Sequence, residues 1–321
     1  MAQITYRQAL NQALREEMSR DSNVILIGVS IGGYRAGGIF GVTEGLLAEF
    51  GSQRVIETPI SEGAIVGSSV GAAMSGMRPV VEIMDSEFLV TCYQQLVAEA
   101  AQVRFLGNGE LKVPLVVRTP FGAVTPGIPM QQKSPEAWFL HVPGLIVVAP
   151  STARDAKGLL KAAIRDDNPV LFFEHKRLYE VSGEVPEGDY LIPLGKADIK
   201  RKGRDVTVIA TAAMVPEALA VATMLSAHGI EVEVLDPRTL YPLDRDAIVR
   251  SVGKTHRVVI VQEAPKTGGI GAEIGAIVAE EAFAALQAPV LRVAAPDVPL
   301  PFVPSQADIE RAVKSVLDYH S

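Results

Sequence analysis

The sequence predicts an α/β fold in two domains, and three observations carry that expectation. Runs of strand character such as Val24-Ile25-Leu26-Ile27-Gly28 alternate with stretches of helical apolar spacing. The alternation stops in a turn-rich stretch and begins again at Asp205. Finally, 321 residues exceed what one core comfortably holds, since single domains usually run to ~100–200 residues.

Taken in order, residues 6–19 carry apolar positions at helical spacing before the Val24 run, which ends in a glycine turn. Arg54-Val55-Ile56-Glu57 reads as a strand, followed by a helix from Glu62 to Met77. Pro79-Val80-Val81-Glu82-Ile83 is the next strand, with a helix from Thr91 to Leu106. Strands at Pro114–Arg118 and Leu145–Ala149, a helix over Asp155–Asp166 after Pro150-Ser151-Thr152, and a strand at Pro169–Glu174 complete the first half. The boundaries expected are a first domain over residues 1–185, a linker over 186–202 and a second domain over 203–321. Gly183, Pro186, Gly188, Pro193, Gly195 and Gly203 supply the turns around that linker. In the second domain Val206–Ala210, Val232–Leu235, Val258–Val261 and Val290–Val293 read as strands with helices between them, which favours parallel pairing.

Composition narrows the function. A net charge of -7, without any cluster of Lys and Arg among aromatics, argues against a nucleic-acid partner. The uncharged, Gly/Ser-rich stretch Ala64–Met77 is shorter than the ~20 apolar residues a spanning helix needs. The N-terminal stretch has neither an apolar signal core nor a small-residue cleavage site, and with the lone Cys92 this suggests a cytoplasmic setting. A mean hydropathy of +0.23 is high for such a chain and points both to a large core and to a broad apolar surface that meets another chain.

The sequence has no nucleophile elbow, Walker loop, HExxH or GxGxxG after the first strand, so a site shared with a partner, or a binding role, is the expectation. Its most informative segment is Thr58-Pro59-Ile60-Ser61-Glu62-Gly63, a strand end and turn leading into a Gly/Ala-rich helix that starts with an acid. By itself Glu62 merely complements a helix N-terminus.

The chain resembles, over its whole length, the beta chains of pyruvate, branched-chain 2-oxo acid and acetoin dehydrogenases. The likeness is carried by Thr58-Pro59-Ile60-Ser61-Glu62, Arg78-Pro79-Val80-Val81-Glu82, Glu136-Ala137-Trp138-Phe139-Leu140-His141-Val142-Pro143-Gly144-Leu145 and Ala156–Pro169. Gly268-Gly269-Ile270-Gly271-Ala272-Glu273-Ile274 and Pro296-Asp297-Val298-Pro299-Leu300-Pro301 continue it. The resemblance implies a pyrimidine-binding thiamine diphosphate domain followed by a transketolase C-terminal-like domain. It also implies an alpha chain that completes a tetramer of two alpha and two beta chains.

In such beta chains the acid matched by Glu62 sits against the cofactor's aminopyrimidine, where it promotes the imino tautomer whose nitrogen removes the thiazolium C2 proton. Phe88 falls where an aromatic residue stacks on that ring. The diphosphate and Mg2+ are expected on the alpha chain, because a Gly-Asp-Gly metal motif is missing here. Ala163, Asp166 and Asn168 follow the pattern of a K+ site in related chains, although Asp-Asp-Asn-Pro is equally a helix stop. Cys92 reads as a small buried hydrophobe and His141 as a hydrogen-bonded core histidine.

Two departures qualify the resemblance. Met130-Gln131-Gln132-Lys133-Ser134 stands where a Gln-His-Ser-Gln-Ser signature is usual, so Gln131 replaces an active-site His and carries no proton near neutral pH. Gly28-Val29-Ser30-Ile31 stands in place of Gly-Glu-Glu or Gly-Glu-Asp, which removes acids from an interface network. The leading expectation is a beta subunit that helps decarboxylate a 2-oxo acid or cleave acetoin, with the acyl unit passed to a lipoyl acceptor. A specialised two-carbon transferase and a non-catalytic partner of an alpha chain stay open as alternatives.

Overall fold

A computed structural model describes residues 1–32, 37–124, 131, 133–298 and 302–319. Met130, Gln132 and Pro299-Leu300-Pro301 of the motifs above lie outside the described residues. The chain separates into two compact units, one of Met1–Phe121 with Trp138–Leu194 and one of Gly122–Ala137 with Gly195–Ser321.

The first unit opens with β1 (Ala2–Thr5) and α1 (Tyr6–Arg20). Thr5 caps that helix, and Gln8 answers it, in a reciprocal capping box. β2 (Val24–Gly28), α2 (Leu46–Phe50), β3 (Val55–Glu57), α3 (Glu62–Met74) and β4 (Arg78–Glu82) follow. The chain then passes through α4 (Ala101–Leu106), β5 (Val116–Phe121), α5 (Ala137–Leu140), β6 (Ile146–Val148), α6 (Ala153–Arg165), β7 (Val170–His175) and β8 (Ser182–Val185). The main sheet of this unit runs β6-β7-β5-β4-β2-β3, and every one of these pairs is parallel. β2, buried at all five positions, has apolar residues on both faces because helices cover both sides of such a sheet. β1 and β8 form a separate antiparallel ribbon, Ala2 opposite Val185 and Thr5 opposite Ser182.

The single helix expected over Thr91–Leu106 is instead three pieces: a 3₁₀ helix at Ser86–Cys92, a π-helical turn at Gln95–Ala100, and α4. The helical turns begin earlier because the Asp85 carboxylate accepts from the Glu87 N–H and the Asp85 carbonyl from the Phe88 N–H. His141, expected in the core, is exposed: Phe139, Val142 and Leu145 take the interior positions around it.

The second unit contains β9 (Asp198–Arg201), β10 (Val206–Ala210), α7 (Met214–Ser226), β11 (Val232–Asp236) and β12 (Thr239–Tyr241). After them come α8 (Arg245–Thr255), β13 (Val258–Pro265), α9 (Ile270–Glu281), β14 (Leu291–Ala295) and α10 (Gln306–Leu317). Its sheet runs β14-β13-β10-β11-β9, parallel except for the edge strand β9. β10, β11 and the first seven residues of β13 are buried, as strands sandwiched between helix layers must be.

Candidate active site

In an open parallel sheet the turns that leave the carboxyl ends of the strands lie together, and ligands bind there. Glu62 stands on such a turn. Thr58–Ser61 leaves the end of β3, and Glu62 is the first residue of α3, where an acid is favoured by the unpaired N–H groups of the helix start. The neighbouring turn leaves β4 and carries Phe88 and Thr91 on the 3₁₀ helix.

The two turns meet. The Thr91 hydroxyl lies 3.2 Å from Glu62 Oε2 and 2.7 Å from the Phe88 carbonyl. Thr91 has one proton to share between these two acceptors, with the shorter bond to the Phe88 carbonyl, so Glu62, which is half-buried, is weakly held. Glycine in α3 makes the approach possible: a Cβ on Gly63 would sit 3.3 Å from the Thr91 carbonyl, and one on Gly67 would sit 3.3 Å from Gln95 Cγ. Phe88 is half-buried beside this contact. Cys92 is fully buried, and its thiol is pushed up to about 12 by burial and by the nearby charge of Glu62, which makes it an inert filler.

Beneath this edge lies a polar cluster that sequence reasoning did not single out. Arg118 grips Glu174 with two hydrogen bonds of 2.7 and 2.8 Å and reaches Glu82 at 2.9 Å, while the Tyr179 hydroxyl donates to Glu174 Oε2 at 2.8 Å. All four are buried. Burial raises the Glu82 carboxyl above the usual range against the pull of Arg118, and the charge of Glu174 raises it further. The signal in the sequence was a charged residue inside each of three apolar strands, β4, β5 and β7. Glu82 also explains the glycines nearby: a Cβ on Gly28 would lie 2.8 Å from its carbonyl oxygen, and one on Gly38 2.4 Å from Oε1.

Gln131 is half-buried and Lys133 is exposed. Both stand on the segment that follows β5, which clusters with the second unit. The structure sets the cation candidates apart from Glu62. Ala163 is in the last turn of α6, and Asp166 and Asn168 follow it on the way into β7, at the amino ends of the strands. There Asp166 Oδ1 accepts from the Asn168 N–H and side-chain amide, and the Arg78 guanidinium donates to the carbonyls of Ile164 and Asp166. Among the described residues, no group of three or more His, Cys, Asp or Glu side chains is arranged to hold a metal ion. No helix among them is long and apolar enough to cross a membrane.

The model of the transketolase pyrimidine-binding domain matches residues 2–182, and that of the transketolase C-terminal domain matches residues 195–313. The chain is 47% identical over 307 residues to the 2-oxoisovalerate dehydrogenase subunit beta of Bacillus subtilis, covering 95% of this chain and 93% of that one. It is 46% identical to the acetoin:2,6-dichlorophenolindophenol oxidoreductase subunit beta of the same organism, over 95% and 92% of the two chains. Against the pyruvate dehydrogenase E1 component subunit beta of Rickettsia felis it is 45% identical over 99% of each. A solved split-gene transketolase, an inactive beta4 tetramer, superposes with a TM-score of 0.80 over 98% of both chains at 22% identity, which is a likeness of fold.

Proposed function

We infer that this chain, which belongs to the family of beta subunits of thiamine-diphosphate-dependent 2-oxo acid and acetoin dehydrogenases, activates the cofactor through Glu62 in a site completed by an alpha chain. The observation that carries the reading is the weakly held Glu62 carboxyl at the carboxyl edge of a parallel sheet, with the Phe88 turn against it. When bound, thiamine diphosphate supplies a carbon nucleophile and a sink for the electrons left behind by the bond that breaks.

The residues present suit one end of that cofactor. A carboxyl at a ring nitrogen holds and returns a proton, which is the role assigned to Glu62. Thr91 orients the carboxyl through Oε2. Phe88 offers an aromatic face that excludes water from that proton transfer. Gln131 faces the substrate as a neutral donor and acceptor in place of an acid–base His, so proton transfers at the substrate fall to other groups. The diphosphate and Mg2+ are assigned to the alpha chain on the sequence ground given above, within a tetramer of two alpha and two beta chains. A lipoyl group is the acceptor proposed for the acyl unit. A K+ ion is proposed at Ala163, Asp166 and Asn168. At the amino edge it would act on stability alone, and the Asp166 carbonyl there also accepts from Arg78.

The test is co-expression with an alpha chain bearing a Gly-Asp-Gly motif. Thiamine diphosphate with Mg2+ is titrated calorimetrically, and pyruvate, 2-oxoisovalerate and acetoin are each assayed with 2,6-dichlorophenolindophenol as electron acceptor. Wild type is expected to bind the cofactor and turn over at least one substrate. Glu62→Gln should bind the cofactor within a few-fold while turnover falls by about 10²–10⁴. Undiminished turnover in Glu62→Gln would remove the basis of the reading.

A further inference from the structure

Glu263 is a buried carboxylate on β13, only 8% exposed, in a strand otherwise made of apolar and amide residues up to that point. Its Oε1 accepts from the Ala123 N–H at 2.6 Å and from the Ser134 hydroxyl at 3.2 Å. Between these contacts, the Gly122 N–H donates to the Lys133 carbonyl at 2.9 Å. Gly122 itself has a φ of 83°, a conformation that favours glycine. One oxygen therefore ties together both ends of the segment on which Gln131 stands.

A second carboxyl lies in the same place. Glu136 is 3% exposed, and its Oε2 has no hydrogen-bond partner among the described residues. Burial first and the charge of Glu263 second push the Glu136 carboxyl up to about 7.

We propose that Glu263 is a positioning residue for Gln131: by accepting hydrogen bonds from both ends of the 122–134 segment it fixes where Gln131 stands. This rests on the reading that Gln131 faces the substrate in the shared site. Energetically, a hydrogen bond to a buried charged group is among the stronger ones, and its removal strands donors that burial has already stripped of water.

The experiment is a double-mutant cycle in the assembled heterotetramer, with Gln131→Ala, Glu263→Ala and their combination, assayed on whichever of pyruvate, 2-oxoisovalerate and acetoin the wild type consumes. Each single variant is expected to lower kcat/KM by the same factor, about tenfold, and the double variant by no more than either alone. Glu263→Gln keeps an acceptor oxygen and should rescue most of the loss. Hydrogen exchange at the Ala123 amide should accelerate in Glu263→Ala and stay slow in Gln131→Ala. Ser134→Ala, which removes one donor and opens little space, should cost about threefold and serves if Glu263→Ala does not assemble. Multiplying factors in the double variant, or a silent Glu263→Ala or Ser134→Ala beside an impaired Gln131→Ala, would overturn the clamp alone. A silent Gln131→Ala would overturn the site reading and the clamp with it.

Discussion

Glu62 and Glu174 are both carboxylates at the carboxyl edge of one parallel sheet, yet they are built oppositely. Glu174 is buried and saturated, gripped twice by Arg118 and once by Tyr179. Glu62 is half-buried and shares one threonine proton with a backbone carbonyl. A charge inside a core survives only when its hydrogen bonds are complete, so completeness marks a structural acid. An acid left loosely held at the mouth of a sheet retains capacity for another donor, and that is what a proton-handling role requires.

The largest effect that would sharpen this contrast is Arg118→Ala, which strands Glu82 and Glu174. Loss of one member of a buried ionic cluster costs about 3–5 kcal/mol, and denaturant melts of the assembled protein should show a loss of that size. Glu62→Gln, by the contrast, should change stability by less than about 0.5 kcal/mol even as turnover collapses. A Glu62→Gln variant that melts like Arg118→Ala would break the distinction.

Next in size is Glu136, whose pH dependence has a defined sign. Its carboxyl is raised from 4.5 to about 7 by burial, so the folded state binds this proton more tightly than the unfolded state. The stability it contributes is complete below pH 4.5 and is lost as pH rises through about 7, amounting to on the order of 3 kcal/mol at the alkaline end. Melts between pH 5 and 8.5 should fall more steeply in wild type than in Glu136→Gln, which has no proton to lose. Parallel curves would mean that Glu136 is not held neutral.

The smallest effect probes the Glu62 contact. Thr91→Val removes a hydroxyl whose weaker acceptor is Glu62. The cost to stability is about 1 kcal/mol, while turnover falls several-fold, because the carboxyl loses the hydroxyl that guides Oε2. Thr91→Ser should restore both. Gly63→Ala tests the same approach from the other helix: its new methyl must push the Thr91 carbonyl back by a few tenths of an ångström.

The strands were legible because apolar runs such as Val24–Ile27 and Val258–Val261 leave few other options, and the carboxyl-edge turns come with them. The helix type between Ser86 and Leu106 was not legible. Phe88, Leu89, Cys92, Leu96 and Ala100 satisfy several helical pitches equally, and the choice is made by the Asp85 cap and packing against α3. Glu62 was visible as a helix-start acid, and only likeness to relatives gave it chemistry. Glu263 was beyond reach, since its partners Ala123 and Ser134 lie more than a hundred residues earlier in the chain.

The ribbon formed by β1 and β8 bears on how the protein is made. Ala2–Thr5 has its strand partner at Ser182–Val185, so the opening residues emerge from the ribosome long before anything exists for them to pair with. At ~5–20 residues per second the wait is roughly ten to forty seconds. Throughout it the unpaired edge is open to other strands, and the first unit cannot close its register until synthesis has run past Val185.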